Sequence, residues 1–300
     1  MGEAHDRLRA SLGRVGVWTF AFDAMPWAEV RTAAVAIETL GYPALWVPEG
    51  SGSRDVTSQL ALLLAATERI AVCSGIANVS TRQPEVLQAA AVTLADAFGD
   101  RAVVGIGIVH EYSTERRGLD WGKPLTRMRA YLDRMDAVDH VPGPAPQRLL
   151  AALGDRMLRL AAARSLGAHT YFVPPEHTAR ARDVLGPEAV LAVEQTVVMR
   201  PEPAEARRIA RAWTADYLEL PNYANNWRRL GFGDDDLAGG GSDRLVDAAV
   251  AWGGLEAIVA RVRAHLDAGA DHVCVQPIME DEGEIAIPQL RELGPALLAT

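Results

Sequence analysis

Strand-like and helix-like stretches alternate eight times along this chain, and that alternation limits its fold more than any other feature. Short apolar runs occur at Val15–Phe20, Ala44–Val47, Ile70–Ile76, Arg101–Ile108, Leu149–Gly154, Ala168–Val173, Val190–Met199 and His272–Ile278. A helical pattern follows each, starting near Pro26, Val56, Pro84, Leu125, Met157, Pro174, Pro203 and Pro288. Proline suits a first helical turn, where its missing N–H would have no partner. A strand that returns to its sheet through a helix runs parallel to its predecessor. Eight such units in about 285 residues, with no change of composition between the halves, predict the α/β class. They predict a closed (β/α)8 TIM barrel forming a single domain over residues 1–300. Continuously apolar strands agree, because parallel strands are covered on both faces.

The alternation breaks at 219–253, an insertion of about 35 residues between strands 7 and 8, far beyond an ordinary loop. Ser242 is placed to cap a helix over Arg244–Trp252, with Asp243 favourable at its positive end. Gly239-Gly240-Gly241 gives the segment hinge character. The residues fit a lid over a site and a helical hairpin facing a neighbouring subunit equally well.

Composition narrows the function classes. A net charge of −9 argues against nucleic acid, whose phosphates require a basic face. No apolar run approaches the roughly 20 residues that a membrane span requires, so no membrane partner is expected. Met1–Ala10 is charged and lacks the apolar core of a secretory signal, and Cys73 and Cys274 sit in strand-like runs as packed thiols. A cytoplasmic protein is the expectation. Gly105-Ile106-Gly107-Ile108-Val109-His110 resembles a dinucleotide fingerprint but has His at the sixth position and no helix after the second glycine. The seven histidines never pair at ligand spacing, so no metal is expected, and no G-x-S-x-G elbow occurs.

The site signals lie where strands end. In Ile70–Val86 a buried strand loses its side chains at Ser74-Gly75, then gives Asn78, Arg82 and Pro84 before an alanine-rich helix. Glycine at that place marks a bulge or a close approach by another group. In a parallel barrel this is the ligand-binding end. At the same end, His110 is either a proton donor or a histidine bonded to a loop carbonyl. Glu49 is either a buried carboxylate or one paired with Arg54 in solvent. Gly154-Asp155 opens a helix whose free N–H groups suit a phosphate, as they also suit an ordinary turn. Trp18, Phe20 and Trp46 are candidates to line the pocket.

Several segments together resemble the bacterial luciferase-like superfamily, in its coenzyme F420-dependent oxidoreductase branch. They are Ala44–Glu49, Ser74–Pro84, Gly105–Gly107 with His110, Ala151–Gly154 with Met157, Tyr171–Thr178, Leu220–Tyr223 and Asp236–Asp243. The resemblance implies a homodimer acting on a small-molecule substrate, with coenzyme F420 at the C-terminal strand ends. FMN, in a monooxygenase of the same fold, is the alternative cofactor, and a barrel that binds without catalysis is a further alternative. It also implies a cis Gly75-Ile76 bond in a bulge under the cofactor ring, with Glu49 in contact with the cofactor. The implied cofactor-binding set is Glu49, Gly75, Ile76, Ala77, Asn78, Gly107, Ile108, Ala152, Leu153 and Gly154, and the catalytic pair is His110 and Glu49. Two departures stand out: Gly50 occupies the place of the relatives' catalytic His, and His110 that of a Glu.

Overall fold

The computed structural model of the chain describes residues 2–50, 53–109, 122–279 and 285–300. In chain order the elements are α1 (Gly2–Leu12), β1 (Val15–Trp18), α2 (Trp27–Thr39), β2 (Ala44–Val47), α3 (Val56–Ala66), β3 (Ala71–Asn78), α4 (Pro84–Phe98) and β4 (Ala102–Gly107). There follow α5 (Pro124–Asp136), β5 (Gln147–Ala151), α6 (Asp155–Arg164), β6 (Gly167–Thr170), α7 (Pro175–Leu185), β7 (Val190–Val198) and α8 (Pro203–Leu218). The chain ends with α9 (Pro221–Arg229), α10 (Asp234–Leu237), α11 (Asp243–Ala249), β8 (Ala251–Trp252), α12 (Leu255–Asp267), β9 (His272–Pro277) and α13 (Ile287–Leu297).

All pairings are parallel, and the sheet closes through β1–β9, β9–β7 and β7–β6 into the expected eight-stranded TIM barrel. The ninth strand, β8, is short and pairs with the end of β7 beyond β6. Ala251 and Trp252 therefore extend the sheet, whereas the sequence pattern assigns them to a helix; the helix capped by Ser242 stops at Ala249. The cap itself is as expected, with Ser242 Oγ accepting from Leu245 N.

Period-two alternation sorts each strand. Val15, Val17, Leu45, Val47, Val72, Val104 and Ile106 pack outward against the helices. Trp18, Ala44, Trp46, Ala71, Cys73, Val103 and Cys274 fill the interior. Large and small residues offset one another there: a Cβ on Gly16 would lie 2.7 Å from the His272 ring. Both cysteines are buried and free.

Helix α1 was not legible as structure in its charged sequence. Its buried face, His5, Leu8 and Leu12, closes the N-terminal end of the barrel. Arg9 Nε donates to Asp271 at 2.9 Å, and Arg182 Nη2 and Leu191 N reach the same carboxylate at 2.6 and 2.8 Å. This clasp joins α1, α7, β7 and the start of β9.

The insertion is welded to the barrel by Phe172, Val198, Ala206, Tyr223, Trp227, Leu245, Val246 and Val250. Its glycine run packs on α8 instead of hanging free, with Arg211 Nε donating to Gly241 O at 2.8 Å. Among the described residues no helix is long and apolar enough to cross a membrane.

Candidate active site

The strand register locates the site. Ser74 pairs with Val104, yet Ala77 pairs with Ile106, so β3 carries one residue more than β4 over the same span. That extra residue is a bulge. Within it the Gly75-Ile76 peptide bond is cis. Gly75 and Ile76 face a cavity of about 1510 Å³ at the C-terminal ends of the strands, roofed by α8 and α9.

Glu49, Gly75, Ile76, Ile108, Ala152, Leu153 and Gly154 all line this cavity. Ala77, Asn78 and Gly107 sit behind the lining. Ala77 turns outward into the core between strands and helices. Asn78 donates its backbone N–H to Glu49 at 2.7 Å, and its side-chain oxygen accepts from Ser80 N. Gly107 supports the bulge from below, where a Cβ would stand 2.5 Å from Ile76 Cγ1 and 2.9 Å from Ala151 Cβ. His110 lies outside the described residues.

Glu49 is buried, with a different partner from the one its sequence suggests. Arg54 turns away, donating to the Phe22 and Met25 carbonyls. The partner is Arg82, which forks both carboxylate oxygens, one at 2.8 Å, while Thr81 Oγ1 adds a bond at 3.2 Å. Arg82 also reaches Asp55 at 2.7 Å. Burial works against the Arg82 charge, but the bonds and charges of Glu49 and Asp55 raise its pKa above the ordinary value. With both oxygens engaged, Glu49 holds the loop after β3 to the end of β2.

Trp46 also departs from expectation. Fully buried, it donates Nε1–H to His272 Nε2 at 3.0 Å, away from the cavity. Its ring stacks on His169 at 4.5 Å and 16°. His169 Nδ1 lies 3.3 Å from the Ala192 carbonyl, and burial lowers the His169 pKa to about 3, so the ring is neutral. Donation from Nδ1–H leaves Nε2 as an acceptor. That nitrogen and Trp18 Nε1 are buried with no partner among the described residues. They lie 3.3 and 2.6 Å from where a Gly75 Cβ would stand.

Trp18 and Phe20 line the cavity as expected, joined by Tyr171, Trp213, Tyr217 and Gln276. No local pattern marks these four, since Tyr171 follows β6, Trp213 and Tyr217 lie on α8 and Gln276 on β9, and they meet only in the closed ring. Tyr171 donates to Gln276 Oε1 at 2.9 Å and lies 2.9 Å from the Tyr217 hydroxyl. At the far wall no side chain caps Gly154 at the start of α6, and Arg229 Nη2 lies 4.0 Å from the position of a Gly154 Cβ. Asp155 beside it is paired with Arg180 at 2.9 Å. No group of three His, Cys, Asp or Glu that could hold a metal occurs among the described residues.

A family model described as luciferase-like monooxygenase matches residues 9–272. The chain belongs to that enzyme family. This luciferase-like chain is 32% identical over 105 residues to a 5,10-methylenetetrahydromethanopterin reductase of Archaeoglobus fulgidus, covering 35% of the chain and 32% of that protein. It thus spans about a third of the length of the curated relative it matches. An F420-dependent secondary alcohol dehydrogenase, solved with an F420-acetone adduct, superposes with a TM-score of 0.74 at 13% identity, over 95% of this chain and 98% of that one. The FMN-bound oxygenating constituent of 3,6-diketocamphane monooxygenase of Pseudomonas putida gives 0.66 at 16% identity, over 94% and 96%. At these identities the two structures establish a shared fold.

The luciferase-like site fits a flat heterocycle with an anionic tail. Gly75 and the bulge offer a surface poor in side chains, and two buried ring nitrogens wait beneath it. The uncapped end of α6, with Arg229 close by, suits a phosphate.

Proposed function

We propose that the chain, acting as one unit over residues 1–300, is an oxidoreductase that moves a hydride between coenzyme F420 and a small organic substrate. The observation that carries this reading is the cradle at the β3 bulge, which Gly107 supports from below and Glu49 with Arg82 pins from the side. F420 would supply the hydride chemistry, and the protein position and a dry pocket. Gly75, Ile76, Ile108 and Ala152 would hold the ring, and the N–H groups opening α6, together with Arg229, the phosphate of the tail. Glu49 acts by fixing the two loops that frame the ring. Support for F420 over FMN comes from the name of one structural neighbour, the F420-dependent secondary alcohol dehydrogenase.

Titrating the purified chain with F420 and with FMN separately, each followed by fluorescence, tests the reading. Saturable F420 binding is expected. Tight FMN binding with no F420 response would replace it with the monooxygenase reading. Binding of neither would favour a barrel without catalysis.

A further inference from the structure

Five aromatic rings lining the cavity form a closed chain of contacts. Trp18 meets Phe20 at 4.3 Å, Phe20 meets Trp213 at 5.7 Å, and Trp213 meets Tyr217 at 5.2 Å. Tyr217 meets Tyr171 at 5.4 Å, and Tyr171 returns to Trp18 at 5.3 Å. Neighbouring rings are tilted by 44° to 72°. Tilted and edge-on pairs are ordinary aromatic geometry, so what distinguishes these five rings is that all of them line the cavity.

This chain of rings is continuous with the aromatic cluster that welds the insertion down, Tyr217 meeting Phe172 at 5.1 Å and Tyr223 at 5.4 Å, and Tyr223 also lines the cavity. Phe172, Tyr223, Trp227 and Phe232, which weld the insertion down, are all buried. In the cavity chain, Phe20 stays 38% exposed, and Trp213 and Tyr217 are half-buried. Exposed aromatic surface that persists beside a cavity is what a ligand covers.

Polar groups at one corner refine the picture. When Tyr217 donates to Tyr171, and Tyr171 to Gln276 Oε1, the Gln276 amide N–H is left as the terminal donor, in a residue 2% exposed that lines the cavity. Burial, reinforced by neighbouring charge, pushes both phenols well above their ordinary range, so this chain stays neutral. On the α8 side of the cavity the carboxylates Asp216 and Glu219 outnumber Arg208. That balance disfavours anions.

We infer that this aromatic enclosure is the substrate wall, and that it selects flat, uncharged ring compounds bearing a carbonyl group whose oxygen accepts from the Gln276 amide. The inference deepens the function proposed above and rests on it, since it names the substrate class of the same cavity.

Calorimetric titration of the full chain, with and without F420, tests it using four probes: 1-indanone, indane, cyclohexanone and glucose 6-phosphate. We expect 1-indanone to bind at least tenfold more tightly than cyclohexanone, with indane weaker than 1-indanone and, once F420 fills the phosphate site, glucose 6-phosphate giving no heat. Trp213→Leu should weaken 1-indanone and indane alike by about tenfold. Gln276→Leu should bring 1-indanone down to the level of indane and leave indane unchanged. If either variant loses its thermal transition, Phe20→Leu at the exposed ring reads the wall instead, and the probe series on the parent chain needs no variant. Equal affinity for cyclohexanone or, with F420 bound, for glucose 6-phosphate, or no binding of 1-indanone, would overturn the inference. Retained 1-indanone selectivity without any F420 response would remove only the cofactor reading.

Discussion

At the floor of the barrel, Leu8 and Leu12 of α1 press into an interior filled by Trp46, Val103, Leu149 and Val190. The ring nitrogens there are matched: Trp46 Nε1–H meets His272 Nε2, and His272 Nδ1 meets Gly13 O at 2.9 Å. At the mouth, Trp18 Nε1 and His169 Nε2 have no partner among the described residues, and a wide cavity lies beside them. An unpaired buried nitrogen costs about 1–3 kcal/mol. The floor therefore spends its residues on stability, and the mouth leaves bonds for a ligand to make.

Four substitutions break or sharpen this contrast. The largest effect is expected at an exception, a tightly bonded part of the mouth. Arg82→Gln strands the buried Glu49 carboxylate, which should cost about 3–5 kcal/mol in urea unfolding and weaken cofactor binding in parallel. At the floor, Leu12→Ala should cost about 2–5 kcal/mol while leaving ligand affinity of the folded protein unchanged; altered affinity would mean that the two ends are coupled.

A pH series separates a third residue, Glu194, which is buried with bonds to Thr196 Oγ1 and Phe172 N. Burial raises its pKa from the ordinary 4.5 to about 7, so the folded state keeps a proton that the unfolded chain releases earlier. The stability this proton carries is complete below about pH 4.5 and is lost as pH rises through 7. Buried His169, His177, His265 and His272, lowered to between about 3 and about 4, act in the opposite sense, losing stability as pH falls below 6.5. Comparing Glu194→Gln with the parent cancels the histidines. The gap should move in favour of the variant by on the order of 3 kcal/mol between pH 4 and pH 8; a constant gap would show that Glu194 does not titrate there.

The smallest change in stability is expected from Gly107→Ala, whose methyl group must displace Ile76. A loss of about 1–3 kcal/mol, together with roughly tenfold weaker F420 binding, would mark the bulge as the cradle. An unchanged binding isotherm would point elsewhere.

Much of this was legible in the sequence because it is local. The strand–helix alternation, the bulge at Gly75 and the Ser242 cap each depend on neighbouring residues. What was missed depends on closure. Trp46 reads as a pocket aromatic until the interior phase of β2 turns it toward His272. Arg82, near Glu49 only in the folded mouth, displaces Arg54 as the partner. The aromatic enclosure draws on α8, the end of β1 and the segments after β1 and β6, whose meeting no periodicity reports. Helix α1 carries Glu3, Asp6, Arg7 and Arg9, and only Leu8 and Leu12 betray the face that enters the barrel.

The Arg9–Asp271 clasp also bears on how the molecule is made. Residues at opposite ends of the chain must meet before the ring is whole, and contacts of that span are slow to form. Without β9 the ring is open, and Trp46 lacks the His272 nitrogen that its Nε1–H meets. Pulse-labelling hydrogen exchange during refolding should find β1 and α1 among the last segments to gain protection; early protection of α1 would mean that the helix docks on an incomplete ring.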